Sequence, residues 1–317
     1  MSSLAEAVAL AAPAGSSETD PMVRAAAEEQ PARRAGAPRA SYGPAPFLKW
    51  AGGKTQLLEP ILARFPGEIR GTFVEPFIGG GAVFFAMVRE GRIRKARLCD
   101  RNADLVETYV AVRDEVEAVI AALEHHRNEE SWYYEVRAQD PATLTRAARA
   151  ARTIFLNRVG FNGLYRVNSK GQFNVPFGRY KNPKICDAAG LRNASRALEL
   201  AELECLDFEE AVRDVGPSDA VYFDPPYLPV SKTSNFTSYA KESFGPEGHR
   251  RLARVFGEVV DRGAIALLSN SDVPLARELY AGFKIATVEA TRSINSKGDK
   301  RGAVSEILVQ GVRTGGR

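Results

Sequence analysis

The chain predicts an α/β fold: a doubly wound, Rossmann-like sheet interrupted by an inserted helical and β-hairpin segment. Three observations predict it. Short apolar runs at 72–77, 96–100, 202–206, 220–223 and 264–269 alternate with stretches of helical period. Two of the runs end on an acid, Asp100 and Asp224, and the first leads into Gly79, Gly80 and Gly81. The alternation lapses over residues 103–186, and the composition changes after residue 140.

A chain of 317 residues with 44% apolar and 26% charged side chains has material for one large domain or two modest ones. Net charge is only +4 and the pI near 8.9, so the distribution of charge matters more than its sum. Cys99, Cys186 and Cys205 are odd in number and form no CxxC pair, which points to a reducing compartment and away from a disulfide frame or a zinc site. His125, His126 and His249 have no metal-ligand spacing, so no metal is called for. No stretch approaches the roughly 18 apolar residues of a membrane span. Residues 1–44 are rich in Ala with scattered Pro, Gly, Ser and Arg, a composition that cannot offset its ordering entropy, and they read as a disordered tail. Glu6 interrupts the apolar run at 4–12 and no basic segment precedes it, unlike a signal peptide.

Order is expected from residue 47. The Gly52-Gly53-Lys54-Thr55 segment suggests a nucleotide P-loop, but position 48 is Leu where that motif needs Gly. A short helix at 56–65 follows and stops at Pro66-Gly67. The strand at 72–77, the glycine turn and a helix from 82 form a unit that lets a ligand approach bare backbone at a helix N-terminus. Asp100 ends the next strand about 20 residues on, the position from which an acid binds ribose hydroxyls. Together these features point to a nucleoside-containing cofactor.

Leu105, Val106, Tyr109, Val112, Val116, Val119, Ile120 and Leu123 recur at helical spacing, so 102–151 reads as helical with one core stripe. Residues 141–186 contain no Asp or Glu, yet carry Arg146, Arg149, Arg152, Arg158, Arg166, Lys170, Arg179, Lys181 and Lys184 among six aromatic residues. Such a surface suits phosphates and bases. The turn at 168–171 predicts a hairpin with arms at 164–167 and 172–175, a ribbon that fits a major groove. An ordinary basic surface hairpin is the plainer alternative.

A helix at 191–200 leads to the 202–206 strand and to Asp207-Phe208, expected over the cofactor. The strand at 220–223 then ends on Asp224-Pro225-Pro226-Tyr227. The prolines cannot continue a ladder, so the Asp224 and Pro225 carbonyls are freed beside a carboxylate and an aromatic face. That corner suits a planar group with an exocyclic amine; a strand-end turn with a capping Asp is the alternative. A polar loop at 228–243 carries Ser231, Lys232, Thr233, Asn235 and Thr237 and reads as a mobile mouth of the site. A helix at 246–260, the strand at 264–269 and an antiparallel pair at 286–290 and 305–309, joined by a polar loop at 292–298, complete the chain.

A nucleoside cofactor, an amine-gripping corner and a nucleic-acid-like surface converge on methyl transfer from S-adenosylmethionine to an amino group of a base. From residue 47 to about 309 the chain resembles the Dam-type DNA adenine-N6 methyltransferases, the D12 class with its DPPY motif. The resemblance is carried by FLKWAGGK at 47–54, FVEPFIGGGAVFF at 73–85, DRN at 100–102, NRVGFNGLYRVN at 157–168, FNVPFG at 173–178, DPPY at 224–227 and RSINSKG at 292–298.

The resemblance implies a discontinuous catalytic domain at 45–102 and 187–317, with a DNA target-recognition domain at 103–186. It places Trp50, Lys54, Asp100 and Asp224 against S-adenosylmethionine, with Glu75, Phe77, Gly79 and Gly81 on the same side. It gives Asp224 and the Pro225 carbonyl the target amine and stacks Tyr227 on the adenine. Lys49, Leu164, Arg166 and Pro176 match positions that read GATC. Phe161 and Asn162 match the pair that enters the helix, and Phe161 stands where some members carry Tyr. Arg158 and Asn168 join them on the DNA side. The expected partner is double-stranded DNA, met by base flipping, for a cytoplasmic, nucleoid-associated monomer with no membrane contact. Two other classes remain open on the sequence: an amino-methyltransferase of RNA or protein Gln, and a catalytically inactive DNA-binding relative.

Overall fold

The computed structural model describes residues 43–229, 244–291 and 303–314. The tail up to residue 42, the loop residues Ser231, Lys232, Thr233, Asn235 and Thr237, and the 292–298 loop lie outside the described residues. The described residues belong to one compact unit.

Seven strands make one sheet: β1 (Phe73–Glu75), β2 (Ala96–Cys99), β3 (Ala201–Glu204), β4 (Ala220–Phe223), β5 (Ile265–Ser271), β6 (Phe283–Thr291) and β7 (Ala303–Arg313). Their spatial order is β3-β2-β1-β4-β5-β7-β6. The first five are parallel, and β7 runs antiparallel to both of its neighbours. Strand order reverses between β1 and β4, so the crevice beyond their carboxyl ends is the place where an open α/β sheet binds its ligand. β1 stops at Glu75 because Pro76 has no N–H for the ladder, and β4 stops at Phe223 just before Asp224-Pro225-Pro226. The two strands that flank the switch therefore end on carboxylates.

Successive side chains face opposite sides of the sheet. Phe73, Tyr222, Leu267 and Leu308 join one apolar cluster, while Val74, Val221, Phe223, Leu268 and Ile307 join the other. The helices are α1 (Leu58–Leu62), α2 (Ala82–Arg89), α3 (Ala103–Asp114), α4 (Val116–Glu124), α5 (Glu130–Ala138), α6 (Arg146–Val159), α7 (Ala188–Leu198), α8 (Phe208–Ala211), α9 (Pro246–Asp261) and α10 (Pro274–Leu279). On the Val74 side, α8, α9 and α10 contribute Phe208, Leu252, Phe256 and Ala276. On the Phe73 side, Phe84 of α2, Tyr109 of α3, Phe155 of α6 and Leu191 of α7 share one continuous cluster. Phe256 packs edge-on against Phe223, with ring centroids 5.9 Å apart, and so backs the strand that presents Asp224. Truncating it to Ala costs about 3–5 kcal/mol.

Local chemistry sets the boundaries. Asn102 caps α3 by accepting from the Leu105 N–H at 3.2 Å, and Asp187 caps α7 through the Gly190 N–H at 3.1 Å. Pro246 and Pro274 open α9 and α10, where the missing N–H is no loss. The helical stretch expected at 102–151 is divided into α3, α4, α5 and the start of α6, with a 3-10 turn at Pro141–Thr143. The hairpin expected at 164–175 keeps its turn, but its arms form only an isolated bridge between Val167 and Phe173. Beyond it the ladder stops, because the Asn174 carbonyl accepts from Arg166 Nη2 at 3.1 Å and Pro176 has no N–H to offer.

Candidate active site and nucleic-acid interface

The corner after β4 holds an amine. The Lys54 ammonium, 5% exposed, lies 2.8 Å from Asp224 Oδ1, also donates to the Gly52 carbonyl, and sits 4.7 Å above the centroid of the Tyr227 ring. Asp224 is 21% exposed. Its Oδ1 also accepts from the Ser269 hydroxyl at 2.9 Å, and that hydroxyl contacts the Tyr222 hydroxyl at 2.9 Å. Both contacts fall on Oδ1; Oδ2 makes no hydrogen bond among the described residues. The backbone just beyond the corner is fixed too, because the Leu228 N–H donates to Asn270 Oδ1 at 3.1 Å. Burial, reinforced by the nearby Asp224 charge, holds the Tyr227 phenol well above its ordinary range, so the ring stays neutral.

The other half of the crevice is a cradle of glycine and acid. Gly79 and Gly81 have φ of +47° and +67°, and a Cβ on Gly79 would stand 2.7 Å from Trp50 Cδ1. Only glycine fits that turn. Trp50 in turn stacks on Tyr165 at 5.4 Å, which ties the glycine turn to the 161–168 segment. Asp100 receives the Gly79 N–H on Oδ2 at 3.3 Å and the Asn102 N–H on Oδ1 at 3.0 Å. Burial raises the Asp100 carboxyl above its usual range, against the opposing pull of these N–H groups. Glu75 is 3% exposed; its Oε1 accepts from the Phe84 N–H at 3.2 Å, while Oε2 has no partner among the described residues. Burial first, and then the Asp224 charge, push its carboxyl well above the normal range. A buried acceptor without a donor is costly, and a ligand's cationic amine would satisfy it. Phe77 stacks on Phe208 at 5.5 Å beside this cradle. Asp207, expected over the cofactor, caps α8 and pairs with Arg251 at 2.6 Å.

Of the residues expected to meet DNA, Phe161 is 43% exposed, a large apolar ring open to solvent. Asn162 beside it has φ of +54°, a left-handed conformation that Asn tolerates better than most residues. Arg166 is exposed and aimed by Asn174: its Nε donates to the Asn174 side chain at 2.7 Å and its Nη2 to the Asn174 carbonyl at 3.1 Å. Asn168 is spent on its own turn, accepting from the Lys170 and Gln172 N–H groups at 2.9 and 3.0 Å. The Pro176 carbonyl takes the Phe161 N–H at 2.8 Å, and Leu164 is half-buried against the core. Lys49 Nζ lies 4.5 Å above the Tyr180 ring, and burial together with the Arg158 charge lowers its pKa. Arg158 differs from expectation: its Nε and Nη2 both bind the Phe47 carbonyl, at 3.1 and 2.8 Å, so it anchors the 47–50 segment. Other cations of the acid-free stretch are likewise structural. Arg146 pairs with Glu107 and Glu115, and Arg152 donates to the Val136 and Arg137 carbonyls.

Sequence reasoning did not single out Ser269, Asn270, Asn157 or Glu306. Asn157, buried on α6, binds both the N–H and the carbonyl of Lys49 and the carbonyl of Gly163. It thereby ties the 47–50 segment to the turn at 161–163. The signal was present as polar residues inside otherwise apolar elements, each of which must find a partner when buried.

Comparison with known proteins identifies the family. The model of the D12 class N6 adenine-specific DNA methyltransferases matches residues 50–294. The Type II methyltransferase M1.LlaDCHI of Lactococcus lactis subsp. cremoris is 45% identical over 272 residues, covering 83% of this chain and 94% of its own length. M.MjaIII of Methanocaldococcus jannaschii is 43% identical, covering 83% and 98%. The DNA adenine methylase of Escherichia coli K12 is 38% identical, covering 83% and 93%. With the switch-point acids, the amine-holding corner and a family match across most of the described residues, the chain belongs to the D12 class of N6 adenine-specific DNA methyltransferases.

Proposed function

We propose that the protein methylates N6 of adenine within GATC in duplex DNA, using S-adenosylmethionine and a flipped target base. The observation that carries this reading is the Lys54 ammonium held by Asp224 over the Tyr227 ring. The corner is chemically an amine receptor with an aromatic wall. An adenine amine entering it meets the open Oδ2 of Asp224 and the Pro225 carbonyl, and displaces or shares with Lys54. Two acceptors on the amine hydrogens favour a pyramidal nitrogen with a directed lone pair, which is positioning and electrostatic preorganisation. Reaching the corner takes the base out of its stack, at a cost of a few kcal/mol that stacking on Tyr227 offsets in part. When bound, S-adenosylmethionine supplies the electrophilic methyl. The residues present fit it: Asp100 for the ribose hydroxyls, the partnerless Glu75 oxygen for the amine of its amino-acid end, and Gly79 to Gly81 for close approach of backbone.

The 103–186 segment serves as the recognition domain, with Phe161 and Asn162 filling the vacated stack. Arg166 reads a guanine, a contact worth roughly 1–3 kcal/mol of discrimination. Lys49, Leu164 and Pro176 line the same approach. A nuclease that GATC adenine methylation blocks supplies the test. Plasmid treated with the protein and S-adenosylmethionine becomes resistant to it; methyl label in RNA or protein, with plasmid adenine unmodified, rejects the reading.

A further inference from the structure

Glu306 stands on β7, an interior strand between β5 and β6, where it pairs with Ser271 on one side and Val288 on the other. Its neighbours Ile307, Leu308 and Val309 are fully buried. A glutamate there goes against strand preference and must be satisfied locally. A position that breaks a local rule in this way is where function is to be sought. Glu306 Oε2 accepts the Tyr227 hydroxyl at 2.6 Å, in the short range of a charge-assisted O–H bond.

We infer that Glu306 is a positioning residue for the methyl transfer: it holds the Tyr227 ring as a fixed platform for the flipped adenine. The inference rests on the reading of Tyr227 given above. The ring would otherwise turn about its own two side-chain torsions. Its backbone end is pinned where the Leu228 N–H meets Asn270, and its phenol end is pinned by Glu306. β5 and β7 thus brace the corner at three points, because Ser269 of β5 also holds Asp224. A stacking surface fixed at both ends presents the amine to Asp224 in one geometry, and small misplacements of a reacting group are expensive in rate. Nothing in this role requires Glu306 to touch the substrate.

A double-mutant cycle tests it. Single-turnover methylation of a GATC duplex is measured for wild type, Glu306→Ala, Glu306→Gln, Tyr227→Phe and the Glu306→Ala/Tyr227→Phe pair. A parallel duplex carries 2-aminopurine at the target adenine and reports the flipped base by fluorescence. Glu306→Ala is expected to lower the single-turnover rate about tenfold, the scale of one hydrogen bond to a charged group, with the KM for S-adenosylmethionine unchanged. Glu306→Gln, whose amide oxygen still accepts the phenol, recovers most of the rate. In the Tyr227→Phe background, removing Glu306 costs nothing further, and the 2-aminopurine signal of both single variants shifts alike. An active wild type with Glu306→Ala at full rate, or with the same loss in both tyrosine backgrounds, overturns the inference alone. A wild type that leaves adenine unmodified overturns the functional reading and this inference with it.

Discussion

Replacing Asp224 by Asn separates charge from shape at the centre of the site. The side chain keeps its volume, and its carbonyl oxygen can still take the Ser269 hydroxyl that now bonds Oδ1 at 2.9 Å. The remaining atom becomes an NH₂ group facing the target amine, so donor meets donor. Losing one preorganised charged acceptor costs about 3–4 kcal/mol of transition-state stabilisation, or roughly 10²–10³ in rate. The Lys54 ammonium, 5% exposed and 2.8 Å from Asp224 Oδ1, also loses its counter-charge. Breaking a buried pair from one side costs about 3–5 kcal/mol. Asp224 is 21% exposed, which places the loss nearer the lower figure. At about 2–4 °C per kcal/mol for a chain of this size, the melting temperature should fall by roughly 6–12 °C. Lys54→Met added to Asp224→Asn should restore much of that stability and none of the rate. Single-turnover methyl incorporation, a gel-shift assay on the same duplex and a thermal melt give the three readouts. Asp224→Asn retaining more than about a third of the wild-type rate, with normal DNA binding, would refute the reasoning.

Arg166→Ala should relax the recognised sequence, with a loss of about 1–3 kcal/mol in discrimination at one base pair, read by methylome sequencing as adenine methylation outside the wild-type motif. Gly79→Ala places a Cβ 2.7 Å from Trp50 Cδ1 at a φ of +47° and should raise the Kd for S-adenosylmethionine at least tenfold by calorimetry, with duplex affinity retained. Acid stability should reflect His249, fully buried, whose pKa burial lowers to about 4 from 6.5. The unfolded chain then binds the proton first, so stability is lost as pH falls from about 6.5 towards 4, by about 3 kcal/mol in all. His249→Gln should flatten that part of the urea-midpoint profile, and an unchanged slope would contradict the assignment.

The strands and the crevice were legible because their signals are local. Alternation, the glycine turn and the acids after the strands placed β1, β2 and β4 to within a residue or two, with Asp100 and Asp224 just beyond strand ends, whereas Glu75 came only from the family resemblance. Asp224 and Tyr227 could be read as an amine corner from their chemistry alone. What pinned them could not, because Ser269 and Glu306 lie 45 and 79 residues away in sequence and reach the corner only through sheet order. The basic segment misled in part for the same reason. Its lack of acids was real, but Arg146, Arg152 and Arg158 find their partners on α3, on Glu115 just after it, on α5 and on the segment at 47. The hairpin arms stop at one bridge because the Arg166 side chain takes the Asn174 carbonyl and Pro176 has no N–H for the ladder.

Single-molecule sequencing of DNA from cells that express the protein and have no adenine methylation of their own tests the central claim most directly, since it reads the modified base and its context together. N6-methyladenine is expected to concentrate at GATC and to disappear with Asp224→Asn. Unmodified adenine, or methylation on a different base, would contradict it.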